Sequence, residues 1–137
     1  MDQIIEFANN HFILTGVWLG LFVLLIVSFL KTSSKVIGTS TVTQMLNRDS
    51  ATLIDIRAIA DFNKGHILGS VNIPFGKLKD SAKDLEKYQA SPIILVDANG
   101  MQTASAAQIL KKMGMNELYR LQGGLLSWTN DNLPLSK

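Results

Sequence analysis

Residues 92–102 of the chain are PIILVDANGMQ. The first five form a continuous apolar run, which is typical of a strand that is buried on both faces of a parallel sheet. The other six form a polar loop, and a segment of helical period begins at Thr103 or Ala104 and continues to about Met113. The stretch therefore predicts a strand, a loop and a helix in succession, which is the repeating unit of an α/β fold.

The same alternation continues on both sides of this stretch. Short apolar or β-branched runs predict further strands at 36–37, 52–55, 70–73 and 117–121. Segments of helical period predict helices from Ser40 or Thr41 to about Asn47, over 78–88, and from the Gly123-Gly124 pair past Trp128. The pattern predicts an α/β domain with a mainly parallel sheet.

Composition limits the chemistry of the chain. Its 137 residues, of which 47% are hydrophobic and 18% charged, suffice for one domain with its own core and exclude disorder. The absence of cysteine excludes disulfides, zinc thiolates, iron–sulfur ligation and every cysteine nucleophile. The two histidines, His11 and His66, are distant in sequence and lack a spaced carboxylate pair, so we expect no metal and no cofactor.

Positive charge is confined to the chain after residue 30. All 13 Lys and Arg residues lie there, together with 9 of the 11 acids, which gives this part a formal charge of +4. The lysines between residues 77 and 87 alternate with acidic residues. This pattern predicts a solvated helix face and no nucleic-acid partner.

Residues 12–30 (FILTGVWLGLFVLLIVSFL) carry no charge. At about 1.5 Å per residue they match a hydrocarbon core of about 30 Å, which predicts one transmembrane helix rather than a core helix or a signal peptide. Lys31 and Lys35 follow the run, whereas Asp2 and Glu6 precede it, so we expect the amino terminus outside and the remainder in the cytoplasm. The predicted order is an outward-facing segment (1–11), a transmembrane helix (12–30), a tether (31–35) and a domain (36–137).

Three stretches of the predicted domain resemble the rhodanese homology domain. They comprise Asp55-Ile56-Arg57 with DFNKGHILGSVNIP at 61–74, the strand and loop within 93–108, and LQGGLLSW at 121–128. The resemblance implies a small parallel sheet covered by helices on both faces, with a catalytic loop between the fourth strand and its following helix. With the amino-terminal apolar run included, the chain resembles YibN-type membrane-anchored rhodanese-like proteins of Gram-negative bacteria, which implies a single-pass protein of the inner membrane.

The loop departs from the pattern of the family, whose active members are thiosulfate sulfurtransferases. The family pattern C-x-x-G-x-R, aligned on Gly100, places Asp97 at the cysteine and Gln102 at the arginine. A carboxylate cannot carry sulfane sulfur as a persulfide, and glutamine lacks the fixed charge that would hold an anionic donor. We therefore interpret the loop as vestigial, without a catalytic residue. It comprises Asp97, Ala98, Asn99, Gly100, Met101 and Gln102.

Asp97 admits two interpretations. The carboxylate either fills a cradle of backbone N–H donors as an internal anion, which we favour, or is tolerated because the loop has lost its function. Asp55 and Arg57 predict a structural ion pair, with a brace on the Asp97 loop or a substrate contact as alternatives. The resemblance implies that His66 fixes the turn before the third strand by hydrogen bonding, with a general base as the alternative, and Trp128 is expected to be a core or lid residue.

These observations favour a protein that is not itself an enzyme. The leading hypothesis is a non-catalytic interaction module at the cytoplasmic face of the inner membrane, which contacts lipid through residues 12–30 and binds a protein of unknown identity. One alternative is sulfur transfer through a partner's thiol. Another uses Asp97 as a phosphotransferase nucleophile, although the loop lacks the second acid of that chemistry. A third is a scaffold in which the anchor makes the decisive contacts.

Overall fold

The structure, a computed structural model, describes residues 1–30, 34–48 and 50–137. The chain divides into two compact units, Met1–Thr32 and Ser33–Lys137. The predicted tether at 31–35 lies largely outside the described residues, and its last residue, Lys35, belongs to the first strand of the larger unit.

The smaller unit contains two helices, α1 (Asp2–Asn10) and α2 (Phe12–Leu30). Helix α2 has the bounds that the uncharged run predicts. Among the described residues, however, no single helix has both the length and the hydropathy needed to cross a bilayer. Both requirements are met only when two helices, Asp2–Asn10 and Phe12–Ser28, are taken together, and these are separated by a bend of 98°. The predicted single transmembrane helix is therefore not confirmed.

The larger unit is built on one five-stranded sheet in which every described pairing is parallel. The strand order is β1-β5-β4-β2-β3. The strands are β1 (Lys35–Ile37), β2 (Thr52–Asp55), β3 (Val71–Asn72), β4 (Ile93–Val96) and β5 (Leu118–Leu121). The central strand β4 is buried at all four residues, which accounts for its continuous apolar sequence. The predicted parallel α/β fold is confirmed.

Helices connect the strands. They are α3 (Thr39–Asn47), α4 (Ile59–Lys64), α5 (Ala82–Leu85), α6 (Thr103–Lys112) and α7 (Gly124–Asn130). The continuous helix expected over 78–88 is wrong, because α5 is one turn flanked by the short 3₁₀ segments Phe75–Lys77, Lys79–Ser81 and Glu86–Tyr88. Leu78 and Leu85 are fully buried and fix this segment to the core without a continuous helix. Helix α4 was not predicted.

Side chains of β4 alternate between two cores on opposite faces of the sheet. Ile93 and Leu95 join the core that contains Leu110 of α6. Ile94 and Val96 join the core that contains Val42 of α3 and Trp128 of α7. Helices therefore cover both faces, and the residue that follows β4 emerges at the carboxyl edge of the sheet, where ligand sites of parallel α/β folds lie.

Candidate functional site

Asp97 follows β4 directly and is only 2% exposed. Its Oδ1 accepts a hydrogen bond from the Gly100 N–H at 2.5 Å, and its Oδ2 accepts one from the Gln102 N–H at 2.8 Å. Hydrogen bonds from N–H donors to an ionised acceptor are about twice as strong as neutral ones. The carboxylate thus occupies the centre of the loop and satisfies two backbone donors, which is the geometry expected of an internal anion.

The remainder of the loop is closed by local hydrogen bonds but reaches solvent. The Met101 N–H donates to Asn99 Oδ1 at 3.2 Å, and Thr103 Oγ1 donates to the Gly100 carbonyl at 3.4 Å. The Met101 side chain is 79% exposed. The loop therefore combines a fixed backbone with an exposed apolar tip.

The Gly123-Gly124 pair packs against this loop. Both glycines have positive φ, 71° and 61°, at the start of α7. A Cβ on Gly124 would lie 2.6 Å from the Asp97 carbonyl oxygen and 2.7 Å from the Asn99 nitrogen. The Leu125 N–H also donates to the Asp97 carbonyl at 2.8 Å. Periodicity does not predict this contact, and the paired glycines are the one sequence signal for it.

Asp55 and Arg57 form a bidentate ion pair. Arg57 Nε lies 3.0 Å from Asp55 Oδ1, and Arg57 Nη2 lies 2.8 Å from Asp55 Oδ2. Arg57 Nη2 also donates to the Gly65 carbonyl at 2.7 Å, and Asn72 Nδ2 donates to the carbonyls of both Asp55 and Arg57. The pair ties the end of β2 to α4 and β3, and the hydrogen bonds of the described Arg57 side chain do not include one to Asp97.

Loss of the Arg57 side chain should destabilise the fold. Asp55 is 1% exposed, so Arg57→Ala leaves a buried carboxylate without its counter-ion. We expect the free energy of unfolding to fall by about 2 kcal/mol, below the range for fully buried pairs because part of Arg57 reaches solvent. Urea unfolding followed by Trp128 fluorescence, in a Trp18→Phe background, measures the change.

Lys64→Ala is the matched control for this prediction. It removes a cation whose 3.8 Å pair with Asp61 is solvent-exposed. Such pairs contribute about 0–1 kcal/mol. Equal losses in Arg57→Ala and Lys64→Ala would contradict the structural role of the Asp55–Arg57 pair.

His66 and Trp128 hold the carboxyl-terminal residues in place. His66 Nδ1 lies 2.9 Å from the Phe62 carbonyl, its ring stacks on Phe62, and its backbone pairs with Ser136 in both directions. Trp128 is 5% exposed and its Nε1 donates to the Pro134 carbonyl at 3.0 Å. The predicted structural roles of His66 and Trp128 stay predictions; the observed contacts join these residues to α4 and to the carboxyl-terminal segment.

An open cavity of about 670 Å³ lies in front of the loop. Its lining residues are Ile56, Arg57, Ala58, Asp61, Pro74, Phe75, Gly76, Asp97, Ala98, Asn99, Met101 and Gln102. The cavity brings Arg57 together with the 97–102 loop and leaves His66 and Trp128 outside its lining. Of these described lining residues, Arg57 is basic and is already paired with Asp55, and Asp61 and Asp97 are acidic. The cavity is therefore electrostatically unfavourable for an anion.

The geometry of the site disfavours phosphoryl transfer and metal binding. Both oxygens of Asp97 accept backbone hydrogen bonds, which disfavours attack by this carboxylate on a phosphoryl group. Within residues 1–30, 34–48 and 50–137, no three His, Asp or Glu side chains converge in a way that could hold a metal ion.

Comparison with known proteins identifies the family. The model of the Rhodanese-like domain matches residues 39–131. YibN of Escherichia coli (strain K12) is 36% identical over 139 residues, which cover 98% of this chain and 97% of YibN. Thiosulfate sulfurtransferase GlpE of Shewanella oneidensis is 30% identical over 102 residues, which cover 73% of this chain and 97% of GlpE.

A solved structure agrees with these matches. The crystal structure of a rhodanese-related protein from Thermoplasma volcanium has a TM-score of 0.67 and 25% identity to this chain, over 74% of this chain and 97% of its own. The family match spans strands β2 to β5, the 97–102 loop and the Gly123-Gly124 pair. This chain therefore belongs to the rhodanese-like domain family and is a homologue of YibN.

Proposed function

We propose that this protein is a membrane-anchored rhodanese-like module that does not transfer sulfur itself and that binds another protein at the cytoplasmic face of the bacterial inner membrane. One observation carries the proposal: the buried Asp97 carboxylate accepts the Gly100 and Gln102 N–H groups. Sulfur transfer needs a thiolate that forms a persulfide, and the chain contains no cysteine.

The charge of the cavity supports the same proposal. An anionic sulfur donor would meet the carboxylate of Asp97 and that of Asp61, while Arg57 is neutralised by Asp55. The backbone donors that would bind such an anion are already occupied. The site therefore disfavours the binding of an anionic sulfur donor as well as the transfer of its sulfur.

A role in protein binding is supported by the apolar side chains around the loop. Met101 is 79% exposed and Leu126 is 58% exposed. The Leu126 N–H donates to the Ala98 carbonyl, which places the start of α7 beside the loop. Exposed apolar side chains beside an open cavity are typical of protein contact surfaces.

Membrane anchoring is supported by the composition and exposure of α2. The helix has 19 uncharged residues, and its large apolar side chains within 12–27 are 40–71% exposed. Exposure of apolar surface to water costs a free energy of about 25 cal/mol per Å². A bilayer would cover it.

A sulfurtransferase assay tests the proposal directly. The full chain in detergent, supplied with thiosulfate and cyanide, is expected to release no thiocyanate above a heat-denatured control. Turnover above that control would refute a non-catalytic role.

Removal of the internal anion should open the loop to external anions. In Asp97→Ala the Gly100 and Gln102 N–H groups lose their acceptor, so sulfate or thiosulfate can take its place. We expect either anion to raise the Tm of this variant and to leave the Tm of the parent unchanged. Thermal unfolding with and without each salt, at matched ionic strength, measures the effect.

Asp61→Ala is the control for general charge. Asp61 lines the same cavity but lies in α4, outside the 97–102 loop. An equal anion-dependent rise in Tm for Asp61→Ala and Asp97→Ala would show that net charge, and not the cradle, governs anion binding.

A second candidate, sulfur transfer through the thiol of a partner, is favoured by the cavity that remains open beside Asp97. The partner would supply the thiolate and this chain the docking site. Native membranes with and without the protein, given thiosulfate and cyanide, separate the two candidates. Protein-dependent thiocyanate release would favour the second, and equal release would favour the first.

A further inference from the structure

Helix α1 is amphipathic, and its apolar face is turned toward α2. Ile4, Phe7 and Ala8 recur at helical spacing, so they share one face. The polar residues Asp2, Glu6 and Asn9, at the same kind of spacing, occupy the opposite face. The apolar face is largely uncovered, because Ile4 is 73% exposed and Phe7 is 58% exposed.

The bend of 98° brings this face and α2 into one apolar corner of about 350 Å³. The corner is lined by Ile4, Phe7, Ala8, Leu14, Thr15 and Trp18. Local contacts hold the bend, since the His11 N–H donates to the Phe7 carbonyl and Thr15 Oγ1 donates to the His11 carbonyl. The two helices therefore present one continuous apolar surface, with the charges of α1 on the far side.

We propose that α1 lies flat in the membrane interface, with its apolar face among the acyl chains and its acidic face in water. The inference rests on the proposed anchoring by α2. If α2 crosses the bilayer, a helix at 98° to it lies almost in the plane of the membrane. The apolar corner then points into the hydrocarbon.

The backbone at the bend between α1 and α2 supports a position of α1 in the membrane interface. A helix end leaves carbonyl groups without intrahelical donors, and hydrocarbon offers nothing to bond them. The polar residues Asn9, Asn10 and His11 cluster at this point. The bend is therefore suited to the headgroup region, where water is available, and the 19-residue α2 begins directly below it.

We infer that lipid acyl chains, and not a charged surface, occupy the apolar corner. The corner is lined by uncharged side chains, and α1 carries Asp2 and Glu6 but no Lys or Arg. Attraction to anionic headgroups is thus not required, and apolar burial supplies the stabilisation. Zwitterionic phosphatidylcholine vesicles suffice as a probe.

Spin labelling tests the inference on the full chain. Because the chain has no cysteine, a single introduced cysteine is labelled uniquely. Phe7→Cys labels the apolar face of α1, Glu6→Cys labels the polar face about 100° around the helix axis, and Leu24→Cys reports on α2. In phosphatidylcholine vesicles we expect oxygen to relax the labels at 7 and 24 several-fold more than a water-soluble nickel chelate does, and the reverse at 6.

The outcomes separate this inference from the proposed anchor. Nickel access at both 6 and 7, with oxygen access at 24, would overturn the interfacial helix and leave the anchor intact. Nickel access at 24 would overturn the anchor and the inference with it. A label at 7 that is shielded from both reagents would indicate protein in the corner and would also overturn the inference.

Discussion

Gly124→Ala is expected to lower the free energy of unfolding by about 3–4 kcal/mol, because overpacking against backbone adds to the cost of a left-handed alanine. Its Cβ would lie within 2.7 Å of three atoms, namely the Asp97 carbonyl oxygen, Asp97 Oδ1 and the Asn99 nitrogen. Two of these belong to the backbone, so relief requires the loop or α7 to move. Urea unfolding monitored by Trp128 fluorescence, in the Trp18→Phe background, measures the loss.

Gly69→Ala isolates the conformational part of this cost. Gly69 has φ of 81°, but no atom lies within 4 Å of its would-be Cβ. It should lose about 1 kcal/mol, the cost of the left-handed conformation alone. If Gly124→Ala were no more destabilising than Gly69→Ala, the close packing of the glycine pair on the loop would be refuted.

The strands and the loop were predictable because their signals are local. The apolar run at 92–96 and the helical period from Thr103 give β4 and α6 almost to the residue. β3 is shorter than predicted, since only Val71 and Asn72 pair with β2 at the edge of the sheet. A segment that contributes little to the sheet carries a correspondingly weak pattern.

Contacts between distant segments were not predictable from periodicity. The Arg57 bond to the Gly65 carbonyl and the Gly124 approach to Asp97 join residues that are 8 and 27 positions apart in the chain. The Gly124 contact depends on the pairing of β4 with β5, which places the ends of these two strands side by side. The Arg57 contact depends on the position of the end of α4 beside the end of β2. The sequence named the residue types at the site, and the fold determined which of them touch.

The 97–102 loop keeps its backbone N–H donors although two side chains, Asp97 and Gln102, depart from the family pattern. Replacing both therefore tests whether the loop can support sulfur transfer. In Asp97→Cys/Gln102→Arg, the Gly100 and Gln102 positions offer their N–H groups to a thiolate, as they now do to the carboxylate. Gln102 is exposed and lines the cavity, so arginine there adds a positive charge for thiosulfate without burial. The thiolate attacks the sulfane sulfur, the S–S bond of thiosulfate breaks and sulfite leaves; cyanide then removes the outer sulfur as thiocyanate and restores the thiolate.

We expect thiocyanate release by the double variant to exceed that of the parent by about a hundredfold or more. The backbone donors and the introduced arginine can assist the reaction only when a thiolate nucleophile is present. Gln102→Arg alone should stay at background because it has no thiol. Ala98→Cys/Gln102→Arg should also stay near background, because its exposed thiol stands one residue outside the cradle. Equal activity of the Ala98 and Asp97 cysteine variants would show that any thiol suffices, and the cradle around residue 97 would then have no part in the chemistry.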